Sequence, residues 1–323
     1  MLSHDKVIQF FQNNPALSLS VIEKEASLPA STLSKAVAGK RMLNEKHLKA
    51  LFPVLSKYGY RDGLISKCKV ISIINHKGGV GKTTTTINLG KALSLIGHRV
   101  LVIDMDSQGN LTQALGVDTP QKQVVHALLQ NEPLPLYPIA ENFDLSPSDL
   151  ELAYADLELV QAVGGVNQLR NAISPLRMDY DFILIDCPPA LNIFTNCSLV
   201  ASHSCLITLQ PEASAMKGVS NLFDRIFQVR DRINYDLRVE GILLTMVDKR
   251  LKVHKDMIDY VHKNLSDFPI FSTEIRNNVT IKESQIAQQD IFTYSENSYG
   301  AEDYWNLAQE LLSGSYRQKS FND

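Results

Sequence analysis

The sequence predicts an α/β protein with a doubly wound, mainly parallel sheet, preceded by a small all-helical domain of helix-turn-helix layout. Three observations predict it. Apolar, β-branched runs such as KVISII and FILID alternate with stretches of helical period, the order that puts helices on both faces of a parallel sheet. The first of these runs passes through a glycine-rich loop directly into a helix. The first 57 residues contain no such run and repeat their apolar positions at helical spacing. A chain of 323 residues exceeds what one hydrophobic core usually organises, and a division into residues 1–66 and 67–323 accommodates both patterns.

In the amino-terminal part, Val7, Ile8, Phe10 and Phe11 recur on one helix face, and Leu48, Leu51 and Leu55 on another. Between them Val21, Ile22 and Ala26 make an apolar face, Leu28 and Pro29 interrupt it, and Leu33 and Val37 resume it until Gly39. Two short helices joined by a tight turn match a helix-turn-helix, whose second helix lies in a DNA major groove. Ser31, Thr32, Ser34 and Lys35 are then the base-edge and phosphate candidates on its exposed face, with Lys40 and Arg41 on phosphates. A docking or dimerisation module shares this layout. Residues 1–69 hold eleven Lys and Arg against five acids, a balance of +6, while the remainder carries −9. A basic head on an acidic body suits a polyanionic partner; a lysine-rich solvated surface is the plain alternative.

Cys68, Cys187, Cys197 and Cys205 form no C-x-x-C pair and have no histidine at zinc-finger spacing, so neither a structural metal nor a disulfide framework is expected. No apolar run approaches the roughly 18 residues of a membrane span, and the amino terminus lacks a secretion signal, which predicts a cytoplasmic protein.

After the connector YGYRDGLISK, the strand KVISII ends in NHKGGVGKTTTTINLGKALSLIGH. Gly78, Gly79 and Gly81 let the backbone turn its N–H groups inward around phosphate, ahead of a helix from Thr83 to about Leu95. Lys82 reaches the β and γ phosphates and Thr83 offers its hydroxyl to Mg²⁺, so a nucleoside triphosphate fits a cradle running from Lys77 through Val80 to Thr84. His76 holds the place where G-x-x-x-x-G-K-[ST] has its first glycine, and a second lysine, Lys77, opens the loop. The next strand, in RVLVIDMDSQGNLT, ends in Asp104 and Asp106, read as sharing one face at the carboxyl edge where open parallel sheets bind ligands. In YDFILIDCPP an apolar strand ends in Asp186 and two prolines stop it, the Walker B arrangement for a carboxylate that holds Mg²⁺. SCLITLQPEASAMKG and VEGILLTMVDKR complete the sheet.

The run KGGVGKTTT resembles the deviant Walker A motif of the ParA/MinD family of P-loop ATPases, and DCPP resembles the D-x-P-P of the same family. The resemblance covers about residues 69–313, with its three motifs in order. It implies hydrolysis of ATP to ADP and phosphate with Mg²⁺, Lys77 reaching across a dimer to the partner's nucleotide beside Lys82 of the home loop. It also implies that the Asp104–Asp106 run positions the attacking water, Asp106 at the water and Asp104 nearer the Mg²⁺ of Thr83 and Asp186.

Several branches of the family differ in their ends. The segment YWNLAQELLSGSYRQKSFND is not the basic amphipathic helix of the membrane-cycling regulators, the cysteine spacings do not match iron–sulfur reductases, and the tail after Leu312 holds only Tyr316 where tyrosine kinases are tyrosine-rich. The chain resembles the longer plasmid-type partition proteins, whose amino-terminal helix-turn-helix represses their own operon. That resemblance implies plasmid or chromosome partition, a homodimer on ATP binding, a ParB-type centromere-binding partner, operator and nonspecific DNA, no membrane, and a cytoplasmic, nucleoid-associated location. For nonspecific DNA the corresponding basic residues are Lys249, Arg250, Lys252, Arg276 and Lys282, although IRNNVT stands where the family often has I-P-R-N-V-R. An ordinary solvated run is the plain reading of Lys249, Arg250 and Lys252. The alternative function is a nucleotide-sensing transcriptional repressor with no transport role.

Overall fold

The computed structural model describes Leu2 and residues 4–14, 17–58, 60 and 68–316. Most of the connector and the tail 317–323 lie outside the described residues. The chain divides into two compact units, Met1–Lys67 and Cys68–Asp323.

Among the described residues the first unit has four helices: α1 (His4–Asn13), α2 (Leu19–Glu25), α3 (Thr32–Val37) and α4 (Glu45–Lys57). Their apolar faces meet in a core that includes Val7, Phe10, Ile22, Leu33, Leu51 and Leu55. Six residues are too few for α3 to persist by itself. Its start is held by Glu23 of α2, a buried carboxylate that accepts the backbone N–H groups of Ser31, Leu33 and Ser34 at 3.1, 2.5 and 3.3 Å. These are the donors a helix start leaves unsatisfied. Thr32 at the head of this helix turns inward and is fully buried, its hydroxyl without a hydrogen-bond partner. The expectation that Thr32 faces a base edge is therefore corrected, whereas Ser31, Ser34, Lys35, Lys40 and Arg41 are exposed. Val21, 48% exposed, also leaves the core face to Ile22 and Ala26.

Among its described residues the second unit is built on seven strands: β1 (Lys69–Ile74), β2 (Val100–Asp104), β3 (Tyr137–Ala140), β4 (Phe143–Ser146), β5 (Phe182–Asp186), β6 (Ser204–Leu209) and β7 (Arg238–Leu244). Their order is β3-β4-β2-β5-β1-β6-β7, parallel throughout except for β3, which runs antiparallel to β4. The loop strand β1 is thus flanked by parallel neighbours on both sides. Strand periodicity then sorts the side chains. Val70, Leu101, Ile103, Ile183 and Ile185 enter one core, while Ile71, Ile73, Val102 and Leu184 enter the other with Ile87, Leu89 and Leu93 of helix α5 (Lys82–Ile96). Continuing the alternation by one step places Asp104 and Asp186 on the α5 face. The two are register partners at the carboxyl ends of β2 and β5.

At the amino ends of β1, β6 and β7 a buried polar cluster ties three neighbouring strands together. Glu240 of β7 accepts from Lys69 Nζ at 2.7 Å and Ser204 Oγ at 2.5 Å, and Tyr316 also bonds to it. Burial pushes the Glu240 carboxyl up, but Lys69 and the hydrogen bonds outweigh it and hold it down at about 2. A folded-state value below the ordinary 4.5 contributes stability that is fully present above pH 4.5 and is lost as pH falls toward about 2. Chemical denaturation of Glu240→Gln is expected to show a loss of about 3 kcal/mol at pH 7, the scale of breaking a buried ion pair, and a flatter acid limb than the parent. A variant that loses stability on acidification as steeply as the parent would show that Glu240 is not the titrating group.

Candidate functional site

The loop between β1 and α5 is fixed from both sides before any ligand is considered. Asn75 is buried, donates its amide to Thr208 O at 2.5 Å and accepts the Lys77 N–H at 2.9 Å. Farther along, Val80 O accepts Thr245 Oγ1 at 2.9 Å. Gly79 and Gly81 take φ of +73° and +83°, a left-handed conformation that side-chain-bearing residues avoid. Lys82, only 7% exposed, donates its ammonium to Lys77 O at 2.9 Å and so spans the loop from inside. Burial pulls the Lys82 ammonium down, and Asp186, Cys187 and Asp106 oppose that pull.

Behind the loop, Thr83 Oγ1 donates to Asp186 Oδ2 at 2.6 Å, and Thr86 Oγ1 stands 3.5 Å from the other oxygen. Asp186 is fully buried; desolvation first, and then the neighbouring Asp104, push its carboxyl up. Asp104 is pushed up by burial as well, and its oxygens are taken by Thr112 N, Thr112 Oγ1 and Asp106 N at 3.0, 2.7 and 3.1 Å. Asp104 and Asp106 do not share a strand face as the spacing suggested. The strand ends at Asp104, the chain turns, and Asp106 opens into a cleft of about 740 Å³ with Gly78, Gly79, Lys82 and Thr83. The structure therefore brings Thr83, Asp186 and Lys82 together, sets Asp106 on the wall of the same cleft as Thr83 and Lys82, and leaves Asp104 as a buried acceptor for the Asp106 backbone N–H.

Lys77, at the loop entrance, bonds Glu212 at 2.7 Å, a residue that follows β6 on the same sheet edge. Thr84 accepts the Gln285 side-chain amide at 2.7 Å. Neither Glu212 nor Gln285 is among the site residues that the sequence motifs point to. Glu212 stands in the polar stretch after a strand, the position that supplies ligand-edge residues in parallel sheets, whereas Gln285 has no such signal.

Of the late basic residues, Lys249, Arg250 and Arg276 line one surface cleft of about 630 Å³, each beside an acidic partner. Lys249 pairs with Glu274 at 2.8 Å and Arg250 with Asp248 at 2.7 Å. Arg276 pairs with Asp303 and Glu302, both at 2.5 Å. Lys252 is exposed, and Lys282 lines the nucleotide cleft itself.

His76 occupies the position of the missing glycine, and its imidazole lies against the bare backbone of Gly218. A Cβ at that position would stand 1.7 Å from His76 Nε2. Burial, then Lys82 and Lys77, pull the imidazole down toward its neutral form. Gly218→Ala is expected to displace His76 and destabilise the fold by about 1–3 kcal/mol, as overpacking does, with His76→Ala in the same chain restoring part of the loss. Denaturation midpoints check it, and a Gly218→Ala protein as stable as the parent would contradict the contact.

A family model described as an AAA domain matches residues 68–239. The sporulation initiation inhibitor protein Soj of Bacillus subtilis is 40% identical over 248 residues, 75% of this chain and 98% of Soj. The chromosome partitioning protein ParA of Myxococcus xanthus is 38% identical over 249 residues, 76% of this chain and 88% of its own length. Among solved structures, a cobyrinic acid a,c-diamide synthase from Mycobacterium smegmatis with bound ADP and magnesium superposes with a TM-score of 0.68 at 32% identity, covering 77% of this chain and 95% of the other. A glycine loop closed by an internal lysine, a threonine bonded to a buried strand-end aspartate, and this degree of identity over nearly the whole of Soj lead to one conclusion: the chain belongs to the Soj/ParA family of P-loop ATPases.

Proposed function

We propose that the chain is an Mg²⁺-dependent ATPase of DNA partition that hydrolyses ATP to ADP and phosphate in the cleft between Lys82 and Asp106. The observation that carries the reading is the Thr83–Asp186 pair directly behind the glycine loop. The residues fit the groups it requires. Gly79 and Gly81 open the backbone to phosphate, Lys82 brings a cation, and Thr83 with Asp186 offers the hard oxygen donors that Mg²⁺ takes alongside water. A bound Mg²⁺ would neutralise charge that builds on the phosphoryl group in transfer. The related synthase with ADP and magnesium supports the same pairing of ligands.

Each residue then has a task. Lys82 holds β and γ phosphate oxygens, Thr83 and Asp186 hold the metal, and Asp106 orients the attacking water. Lys77 exchanges Glu212 for the nucleotide of a second copy, which couples ATP to formation of a homodimer. A ParB-type centromere-binding protein stimulates turnover, and the similarity to Soj and to a chromosome partitioning ParA supports that partnership and a nucleoid-associated location. The helical unit contacts operator DNA through Ser31, Ser34, Lys35, Lys40 and Arg41, and Lys252 offers phosphate contacts to DNA of any sequence. No helix among the described residues is long and apolar enough to cross a membrane. One observation favours the repressor alternative: the internal pairing of Lys249, Arg250 and Arg276 leaves less free positive charge on the ATPase unit for bulk DNA.

Fluorescent ATP titration and light scattering test this reading together. Lys82→Ala is expected to lose on the order of a hundredfold or more in ATP affinity, because phosphate charge is left to backbone donors alone. Asp106→Ala should keep ATP-dependent dimers while turnover falls by about 10²-fold or more. Lys77→Ala should bind ATP and fail to dimerise. Undiminished ATP affinity in Lys82→Ala would falsify the phosphate-loop assignment, and equal dimer fractions in the other two would contradict their separate tasks.

A further inference from the structure

Arg276 has been placed above among residues for bulk DNA by its position in the sequence, yet its surroundings describe a different task. Its Nε lies 2.9 and 3.1 Å from the two carboxylate oxygens of Asp303, its Nη2 reaches Asp303, Glu302 and the carbonyl of Tyr299, and its guanidinium stacks over the Tyr299 ring at 4.3 Å. The backbone N–H of Arg276 donates to the same Asp303 at 2.9 Å, so one carboxylate clamps both the main chain and the side chain. Asp303 is 4% exposed, and the Arg276 guanidinium commits its Nε and Nη2 donors to the two carboxylates, which already balance its charge.

The clamp sits on a loop that walls the nucleotide site. Ile275 N, Val247 N and Asn277 N donate to Leu244 O, Ile275 O and Val247 O, each at 2.9 Å, and these bonds hang the loop on the end of β7. A small recess beside the phosphate loop is lined by Gly81, Thr84, Met246, Ile275, Asn277 and Gln285, and it adjoins the cleft of Lys82 and Asp106 through Gly81, Thr84 and Gln285. The residue after Asp303, Tyr304, lines that recess too, and its hydroxyl stands 3.4 Å from Thr85 Oγ1 on the first turns of α5. The helix Tyr299–Ser313 thus holds the recess wall from one side through Asp303 and touches the phosphate-loop helix from the other through Tyr304.

We propose that Arg276 is a positioning residue of the nucleotide site: clamped by Asp303 and Glu302, it sets the 275–278 loop against Gly81 and Thr84 and so shapes the recess for the part of the nucleotide beyond the phosphates. The inference rests on the reading of the cleft as an ATP site. It assigns Arg276 to ATP affinity, and it makes Asp303, which no phosphate-contact role involves, equally important.

The test measures ATPase kinetics and retention of random-sequence duplex at saturating ATP for the full chain and for Arg276→Ala, Arg276→Lys and Asp303→Asn. Loss of an outer supporting partner typically costs about 10-fold to 100-fold, so Arg276→Ala and Asp303→Asn should each raise the KM for ATP by about tenfold. Their kcat should stay within about twofold of the parent, since uniform binding and not transition-state stabilisation is lost. Arg276→Lys, which keeps one charged bond to Asp303, should raise KM less. Duplex retention at saturating ATP should match the parent in all three. A parental KM in Arg276→Ala or in Asp303→Asn would overturn the inference, as would duplex retention lost in Arg276→Ala at saturating ATP with ATP affinity intact. Thermal unfolding identifies any variant that fails to fold, and Asp303→Asn and Arg276→Lys then decide the matter between them. A parent chain that takes up no ATP would instead overturn the nucleotide reading itself, and this inference with it.

Discussion

The hydrogen bond from Thr83 to Asp186 joins the first turn of α5 to the last residue of β5, and the rest of the site is arranged around the problem it addresses. Two carboxylates, Asp104 and Asp186, end adjacent parallel strands in register and are both buried. Side by side and out of water they disfavour each other's charged form, and each is supplied with local donors in partial compensation. Thr112 and the Asp106 N–H serve Asp104; Thr83 and Thr86 serve Asp186. Thr83 of the second set lines the cleft, while Thr112 of the first is buried away from it. In the proposed reading Asp186, bonded to the cleft-lining Thr83, takes the metal ion, and Asp104 accepts the Asp106 N–H at the turn.

A second constraint is the internal disposal of positive charge. Lys77 is met by Glu212, Arg276 by Asp303 and Glu302, Lys249 by Glu274 and Arg250 by Asp248. The pairs differ in exposure and so in consequence. The exposed pairs contribute little to stability and exchange readily with another anion. Lys77 and Glu212 are both partly exposed, which suits the proposed exchange of partners by that lysine. Asp303 is buried, which suits an arginine that must stay.

Much of this was legible from the sequence and some was not, for identifiable reasons. Strands β1, β2 and β5 are apolar runs buried on both faces, so composition alone marks them, and Asp104 and Asp186 follow as the polar residues that end them. Strands β3 and β4 have four residues each, and β3, which includes Pro138, is a partly exposed edge strand; neither presents a run long enough to read. Asp104 and Asp106 do not share a face because the strand ends at Asp104, two residues before the second aspartate, and the period-2 rule no longer applies there. Thr32 was assigned outward from its place at a helix start, while the Glu23 carboxylate that organises that start belongs to a neighbouring helix and leaves no local trace. Gly218 beneath His76, and Asp303 beneath Arg276, are likewise contacts between residues 142 and 27 positions apart, which no spacing rule encodes.

The central claim is that Thr83, Asp186 and Lys82 hold Mg²⁺ and triphosphate while Lys77 leaves Glu212 to serve a second copy. It is tested most directly by a crystal structure of the full chain with a non-hydrolysable ATP analogue and Mg²⁺. The account predicts Mg²⁺ on Thr83 and on Asp186 directly or through water, the Lys82 ammonium on phosphate, and the Lys77 ammonium on the nucleotide of the opposing copy. A triphosphate bound away from Lys82, or Lys77 still paired with Glu212 in a nucleotide-filled dimer, would contradict it.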